Sequence, residues 1–234
     1  MTYRNDLPVC KDCENRFGSI FKNISEVDIL KLSEFKCVKI YKKGQNIFLE
    51  NSQSEGIYCI NKGKVKLYKY DKYGNVQILR LAKEGDLIGY RSLIVGEHYN
   101  ATATAMEDSV ICYISKNIFF ALLRSNPELS VNLMKLLSDK LKTAENHMVS
   151  ISLKNVRERV AETILLIKDF WGEGEDGTLL CDLKREEMAQ FTGTATETFI
   201  RFLSEFKNDK VIDLIGKKIK ILNYEALEKI RSDD

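Results

Sequence analysis

No run of about 18 uncharged apolar residues occurs anywhere in the chain, so a membrane-spanning helix is not expected. Behind the opening Met1-Thr2-Tyr3-Arg4-Asn5-Asp6 there is no apolar segment of the kind that directs secretion, and the expected location is cytoplasmic, with no membrane partner. Histidine is nearly missing: His98 and His147 are the only two, and neither has a serine, cysteine or carboxylate relay at a useful spacing. The patterns G-x-x-x-x-G-K-[ST], G-x-S-x-G and H-E-x-x-H are all absent. No catalytic residue is therefore assigned, and the chain is expected not to be an enzyme. A large excess of positive charge is lacking too, the net charge being +2. From Asn155 onward there are 13 lysines and arginines against 17 aspartates and glutamates, a balance of −4, while the residues before carry +6. That excludes a uniformly basic nucleic-acid-binding domain.

What is present suits a globular protein of two domains: 234 residues, 44% of them hydrophobic, enough for sizeable cores. Six cysteines (Cys10, Cys13, Cys37, Cys59, Cys112 and Cys181) are scattered rather than set in a short framework, which points to reduced thiols. Between Val38 and about Ile114, short apolar runs alternate with glycines. Ile57-Tyr58-Cys59-Ile60 and Val65-Lys66-Leu67-Tyr68 flank Asn61-Lys62-Gly63-Lys64, and Val76-Gln77-Ile78-Leu79 follows Tyr73-Gly74-Asn75. This spacing predicts a compact antiparallel barrel or roll.

After Pro127 glycine disappears until Gly172, and Met134, Leu137, Leu141, Ala144, Met148 and Ile151 recur at alternating intervals of three and four. An a/d seam of that period predicts a dimerising helix; the alternative is a helix laid on its own roll. A second helix is expected over Asn155–Phe170, with Ser150-Ile151-Ser152-Leu153-Lys154 as the hinge between domains. The resulting division is 1–126 for an N-terminal segment and sensor roll, 127–152 for the dimerisation helix, and 153–234 for the C-terminal domain.

The segment from Leu183 to Phe206 reads helix, tight turn, helix. Ala189 is small where two helices cross, Gly193 supplies the turn, and Thr194 with Glu197 is expected to form a capping box. Ala195, Phe199, Phe202, Leu203 and Phe206 form an apolar stripe, leaving Thr196, Glu197, Ile200, Arg201 and Ser204 on the other face. Arginine can bond guanine bidentately and glutamate can accept from cytosine N4, so Thr196, Glu197 and Arg201 are the candidate base readers. Val211 to Leu222 reads as two strands joined at Gly216-Lys217-Lys218, a wing. Lys184, Arg185, Lys217 and Lys218 are the candidate phosphate contacts, and double-stranded DNA the expected partner.

Nearly the whole chain resembles the CRP/FNR family, the relatives of the cyclic-AMP receptor protein and of the anaerobic regulator FNR. The similar stretches are Lys43-Gly44-Gln45-Asn46-Ile47-Phe48, Tyr58 to Lys66, Gly85-Asp86-Leu87-Ile88-Gly89-Tyr90 and Glu197-Thr198-Phe199-Ile200-Arg201. The resemblance implies an α+β protein: a cupin-like, cyclic-nucleotide-binding-like antiparallel β-roll, a long dimerisation helix and a C-terminal winged helix-turn-helix. It also implies a homodimer on palindromic operators, answering an effector or redox signal, with RNA polymerase as a further partner. The −4 balance keeps open a different reading, an effector-binding or redox module whose winged domain makes protein contacts.

Cyclic-nucleotide binders of the family resemble one another in a Gly-Glu pair and an Arg-Ser pair. Here Gly89 is followed by Tyr90, and Tyr99 and Asn100 replace the phosphate pair; Arg91 is nearby and could substitute, although an arginine beside a strand is more often a surface or ion-pair residue. Cyclic AMP is accordingly not the expected ligand. The other prototype holds an iron-sulfur cluster on four thiolates. Cys10 and Cys13 resemble its first pair and Cys112 its distant ligand, but the third position is Ser19, so Cys37 or Cys59 would have to complete the set. A cluster, a dithiol switch and a structural remnant stay open.

Overall fold

The computed structural model describes residues 8–232; the first seven residues of the expected N-terminal segment lie outside it. The chain forms two compact units, Met1–Asn75 with Leu79–Leu141, and Val76–Ile78 with Lys142–Asp234. Among the described residues no helix is long and apolar enough to cross a membrane.

The N-terminal unit begins with a 3-10 turn at Glu14–Arg16 and helix α1, Glu26–Phe35. Ser25 caps α1: its Oγ accepts from the Asp28 N–H at 3.2 Å and donates to the Asp28 carboxylate at 2.8 Å. That bond and another from Asn126 hold the buried Asp28 carboxyl below the usual carboxylate range.

Eight strands follow: β1 (Cys37–Tyr41), β2 (Asn46–Phe48), β3 (Gly56–Lys62), β4 (Val65–Tyr70), β5 (Val76–Ala82), β6 (Leu87–Ile88), β7 (Thr102–Ala105) and β8 (Ser109–Ser115). They form two four-stranded sheets, ordered β1-β8-β3-β6 and β2-β7-β4-β5. The glycine-punctuated reading therefore holds, and β3 and β4 turn out to lie in opposite sheets. Their connection needs glycine at position 63, where φ is +102° and a Cβ would overlap Ser109.

Strand alternation sends β3 side chains two ways. Tyr58 and Ile60 join Phe48, Val65, Ile88, Tyr99, Ala103 and Ile111 inside the roll. Ile57 and Cys59 face the outer layer, with Ile114, Phe119, Leu129 and Leu133. That layer includes α2 (Tyr90–Val95), α3 (Lys116–Ser125) and the start of α4 (Pro127–Leu153).

Helix α4 corrects one expectation. Ser150 to Leu153, read as hinge, is its last turn; the break falls at Lys154, and Asn155 caps α5 (Val156–Trp171) by accepting from the Glu158 N–H at 3.1 Å. The pair of serines does not stop a helix whose Ser150 hydroxyl is engaged by Glu162.

The C-terminal unit continues with α6 (Arg185–Thr192), α7 (Thr196–Asn208), β9 (Ile212–Ile215), β10 (Lys218–Ile221) and α8 (Tyr224–Ser232). Val160, Ile164, Ile167, Phe199, Leu203, Phe206, Ile219 and Leu227 make its core, each 2% exposed or less.

Candidate nucleic-acid interface and sensor cavity

The turn between α6 and α7 is built on Gly193, in the left-handed region at φ +73° and ψ +46°, a conformation that glycine adopts freely. The Thr194 N–H donates to Ala189 O at 3.1 Å, and Ala189 is buried where the helices meet. This commitment of Thr194 to the turn explains a second correction. The cap of α7 is Ala195, with no side-chain bond, so Thr194 and Glu197 form no capping box. The carboxylate that returns to an N-cap is on α6, where Glu187 Oε2 accepts from the Lys184 N–H at 3.0 Å.

Phe199, Leu203 and Phe206 are fully buried along α7. Ala195 is exposed, and Phe202 half-buried, so the stripe is narrower than expected. Burial of the three large side chains turns Glu197, Ile200, Arg201 and Ser204 to solvent, with Thr196 half-exposed in the first turn. The Arg201 guanidinium lies over the Phe202 ring, 4.8 Å from its centroid, with its N–H edges still able to donate in the guanidinium plane.

The wing pairs antiparallel, Lys218 opposite Ile215 and Ile219 opposite Leu214. Lys217 and Lys218 are exposed at its tip and Lys184 is exposed before α6, whereas Arg185 is half-buried with Nη1 3.4 Å from Met188 Sδ. Lys207 is engaged by Asp213 at 2.9 Å.

A residue that motif reading passed over supports the turn. Arg159 of α5 donates through Nε to Thr192 O at 3.3 Å and through Nη2 to Gly193 O at 3.4 Å, while Nη1 reaches Lys154 O at 2.9 Å. One cation thus satisfies carbonyls left open at two helix ends. Arg159→Met is expected to lower stability to urea by about 1.5–3 kcal/mol and to speed hydrogen exchange at the Thr194 amide, since bonds to charged groups are worth that much. Unchanged urea midpoint and exchange would remove Arg159 from this role.

On α4, Met134, Leu141, Met148 and Ile151 are 57%, 61%, 67% and 49% exposed, and Ala144 is exposed too. Leu137 is half-buried against the outer core, where Leu129 and Leu133 pack on the same side of the helix, two turns and one turn before it. Among the described residues, the seam positions other than Leu137 are thus exposed.

The effector candidates part company. Tyr99 is buried in the roll, its ring 4.1 Å from that of Phe48 and its hydroxyl donating to Gly56 O at 2.9 Å. Gly89 lies beside it: a Cβ there would meet Tyr99 Cε1 at 3.1 Å. Tyr90 is buried in the outer layer instead, and Arg91 and Asn100 are exposed. Aromatic rings fill the roll's interior, and burial raises the Tyr58 and Tyr99 hydroxyls above the ordinary tyrosine range, so neither supplies an anion or a cation there. Calorimetric titration with cyclic AMP is expected to show no tight binding; a sub-micromolar constant would overturn this.

The outer layer holds a cavity of about 450 Å³, and Cys10, Cys13, Cys59 and Cys112 all line it. All are free thiols. Burial pushes the Cys59 thiol well above the usual range, helped by the neighbouring Cys112, Cys10 and Cys13, and pushes Cys112 up to about 11. Cys37 is exposed at the start of β1 and Cys181 is buried in the other unit. The Ser19 hydroxyl, although at the cavity, donates to Arg16 O at 2.8 Å and accepts from the Phe21 N–H at 3.2 Å. An iron-sulfur cluster would need four soft donors, and Cys10, Cys13, Cys59 and Cys112 are the thiols that line this cavity. Among the described residues, no three histidine, cysteine or acidic side chains are placed to hold a single metal ion.

Comparison with known proteins agrees with this architecture. Residues 38–126 match the cyclic nucleotide-binding domain and residues 158–230 the Crp-like helix-turn-helix domain. The fumarate and nitrate reduction regulatory protein of Vibrio cholerae is 26% identical over 224 residues, 94% of this chain and 89% of that protein. Among solved structures, FixK2 from Bradyrhizobium japonicum superposes with TM-score 0.74 at 23% identity, covering 83% of this chain and 96% of that one. A transcriptional regulator of the CRP/FNR family from Eubacterium rectale does so with TM-score 0.76 at 18% identity, covering 91% and 97%. A roll of the cyclic-nucleotide-binding type joined to a helix-turn-helix with an outward-facing second helix defines a DNA-binding transcription regulator. The chain belongs to the CRP/FNR family.

Proposed function

We propose that this regulator binds palindromic operators as a homodimer, pairing through the α4 seam, and that the signal it answers enters through the N-terminal domain. The working division is residues 1–126 for sensing, 127–152 for dimerisation and 153–234 for DNA. Thr196, Glu197 and Arg201 read base edges; Lys184, Arg185, Lys217 and Lys218 hold phosphates. The protein acts in the cytoplasm without catalysing a reaction, and RNA polymerase is its further partner. One observation carries the reading: the burial of Phe199, Leu203 and Phe206 leaves Glu197 and Arg201 exposed one helical turn apart on the same face of α7.

The test is a mobility shift on a duplex obtained by binding-site selection, titrated with salt. Affinity is expected to fall linearly on logarithmic axes as phosphate counterions are released. A Lys217→Ala, Lys218→Ala double variant removes four lysines per dimer and should shallow the slope by about 3–4, weakening all sequences alike. A salt-independent shift, or no selected duplex, would refute the proposal.

A further inference from the structure

At about 450 Å³ the outer-layer cavity has the size of a small-molecule site. Its apolar lining includes Phe21, Leu32, Leu87 and Ile114, each 5% exposed or less. The lining also holds four cations, Arg16, Lys22, Lys36 and Lys135, against two carboxylates, Asp86 and Asp139. Asp86 is already held by Arg80 at 3.6 Å and by Lys140 at 3.7 Å, two cations from outside the lining. The cavity therefore has positive charge that its own carboxylates do not offset.

Arg16 is the best placed of these cations. Its Nη1 donates to Lys22 O at 3.3 Å, and its guanidinium carbon lies 4.4 Å from the centroid of the Phe17 ring, so the side chain is held at two points. Its Nε is buried yet has no hydrogen-bond partner among the described residues. Buried charged donors are ordinarily paired, and an acceptor reaching this nitrogen would supply the missing bond. Neighbouring polar groups are committed elsewhere: Asn15 Nδ2 donates to Asn61 O at 2.7 Å, Asn132 Nδ2 to Ile20 O at 3.3 Å, and Lys36 Nζ to Pro8 O.

We propose that this cavity binds a small organic anion with an aliphatic tail, a medium-chain monocarboxylate, with its carboxylate on the Arg16 Nε edge and its tail along Leu32, Leu87 and Ile114. Arginine presents Nε and Nη2 as a fork that matches a carboxylate, giving two charge-assisted bonds at once. A bare inorganic anion would satisfy the fork and leave the apolar lining wet. An alcohol of the same length would cover the lining and leave the guanidinium unpaired. The site is separate from the roll interior, where Phe48, Tyr58 and Tyr99 pack on one another. It rests on the reading that the signal enters through the N-terminal domain, and gives that signal a chemical class.

Octanoate and octanol, alike in length and different in charge, are the ligands for calorimetric titration of the full chain under reducing conditions. Octanoate is expected to saturate a single site per chain and to bind about 10- to 100-fold more tightly than octanol, the gain that a bond to a charged group brings. Arg16→Gln should lower octanoate affinity to the octanol level and leave octanol binding unchanged. Alkylation reads occupancy independently: saturating octanoate should slow the reaction of a maleimide with Cys13, which lines the cavity, and leave the exposed Cys37 as fast as before. Should Arg16→Gln fail to fold, the octanoate-to-octanol ratio and the protection of Cys13 in the wild type decide. The proposal is overturned if the two ligands bind equally, if octanoate does not saturate, if Arg16→Gln binds octanoate like the wild type, or if Cys13 reacts at the same rate with and without octanoate. None of these readouts involves DNA, so a failure here removes the ligand and a failure of the salt titration removes the operator reading.

Discussion

Leu141→Glu is expected to turn the dimer into monomers and to weaken operator binding by about 10²–10⁴-fold, the gain that linking two half-site contacts supplies. Leu141 is 61% exposed in the single chain, so glutamate there disturbs little of the fold. The effect arises in the proposed dimer, whose α4 seam would bring Leu141 near its symmetry mate. Two carboxylates facing each other in an apolar seam must lose hydration or take up protons, and either outcome opposes association. Light scattering reads the mass, and thermal unfolding is the control: the variant should unfold within about 0.5 kcal/mol of a wild-type monomer obtained by dilution. A full-strength dimer would show that the exposed face of α4 serves some other purpose.

Arg201→Ala is expected to flatten base preference at one position per half-site, with a loss of about 1–3 kcal/mol of discrimination there, some 5- to 150-fold. The effect follows from placement. Because Phe199, Leu203 and Phe206 are buried, the side chain four residues after Glu197 is held on the outward face, its guanidinium over the Phe202 ring. Glu197→Ala should relax preference at a neighbouring position, since a glutamate accepting from cytosine has lost its role. The lysine variants of the wing change affinity for every sequence instead, so selection experiments on the three proteins separate reading from holding. An unchanged selected motif with Arg201→Ala would show that α7 is not the recognition helix.

How much of this was legible beforehand differs from element to element. The strands were readable because β-branched and aromatic residues alternate between glycines, and the two-layer burial of β3 follows that alternation. The α4 seam and the α7 stripe were readable because their apolar residues are large and regularly spaced. Helix α1 was missed although Ser25-Glu26-Val27-Asp28 is a capping signature, because its glycine-free stretch carried few strongly periodic apolar residues. Helix α2, six residues long, has no period to detect. The capping box was placed one helix too late because Thr-x-x-Glu fits at Thr194 by pattern, and only the bond from the Thr194 N–H to Ala189 O shows that the turn has already claimed this residue. Arg159 could not be assigned from spacing. Its bonds to Thr192 O and Gly193 O depend on the approach of α5 to the end of α6, a property of tertiary contact.

Strand β3 has one parity of residues in the roll and the other in the outer layer: Tyr58 and Ile60 on one side, Ile57 and Cys59 on the other. The two compartments share a wall yet draw on disjoint sets of codons. Point mutation can therefore alter the chemistry of one compartment while the packing of the other is inherited intact.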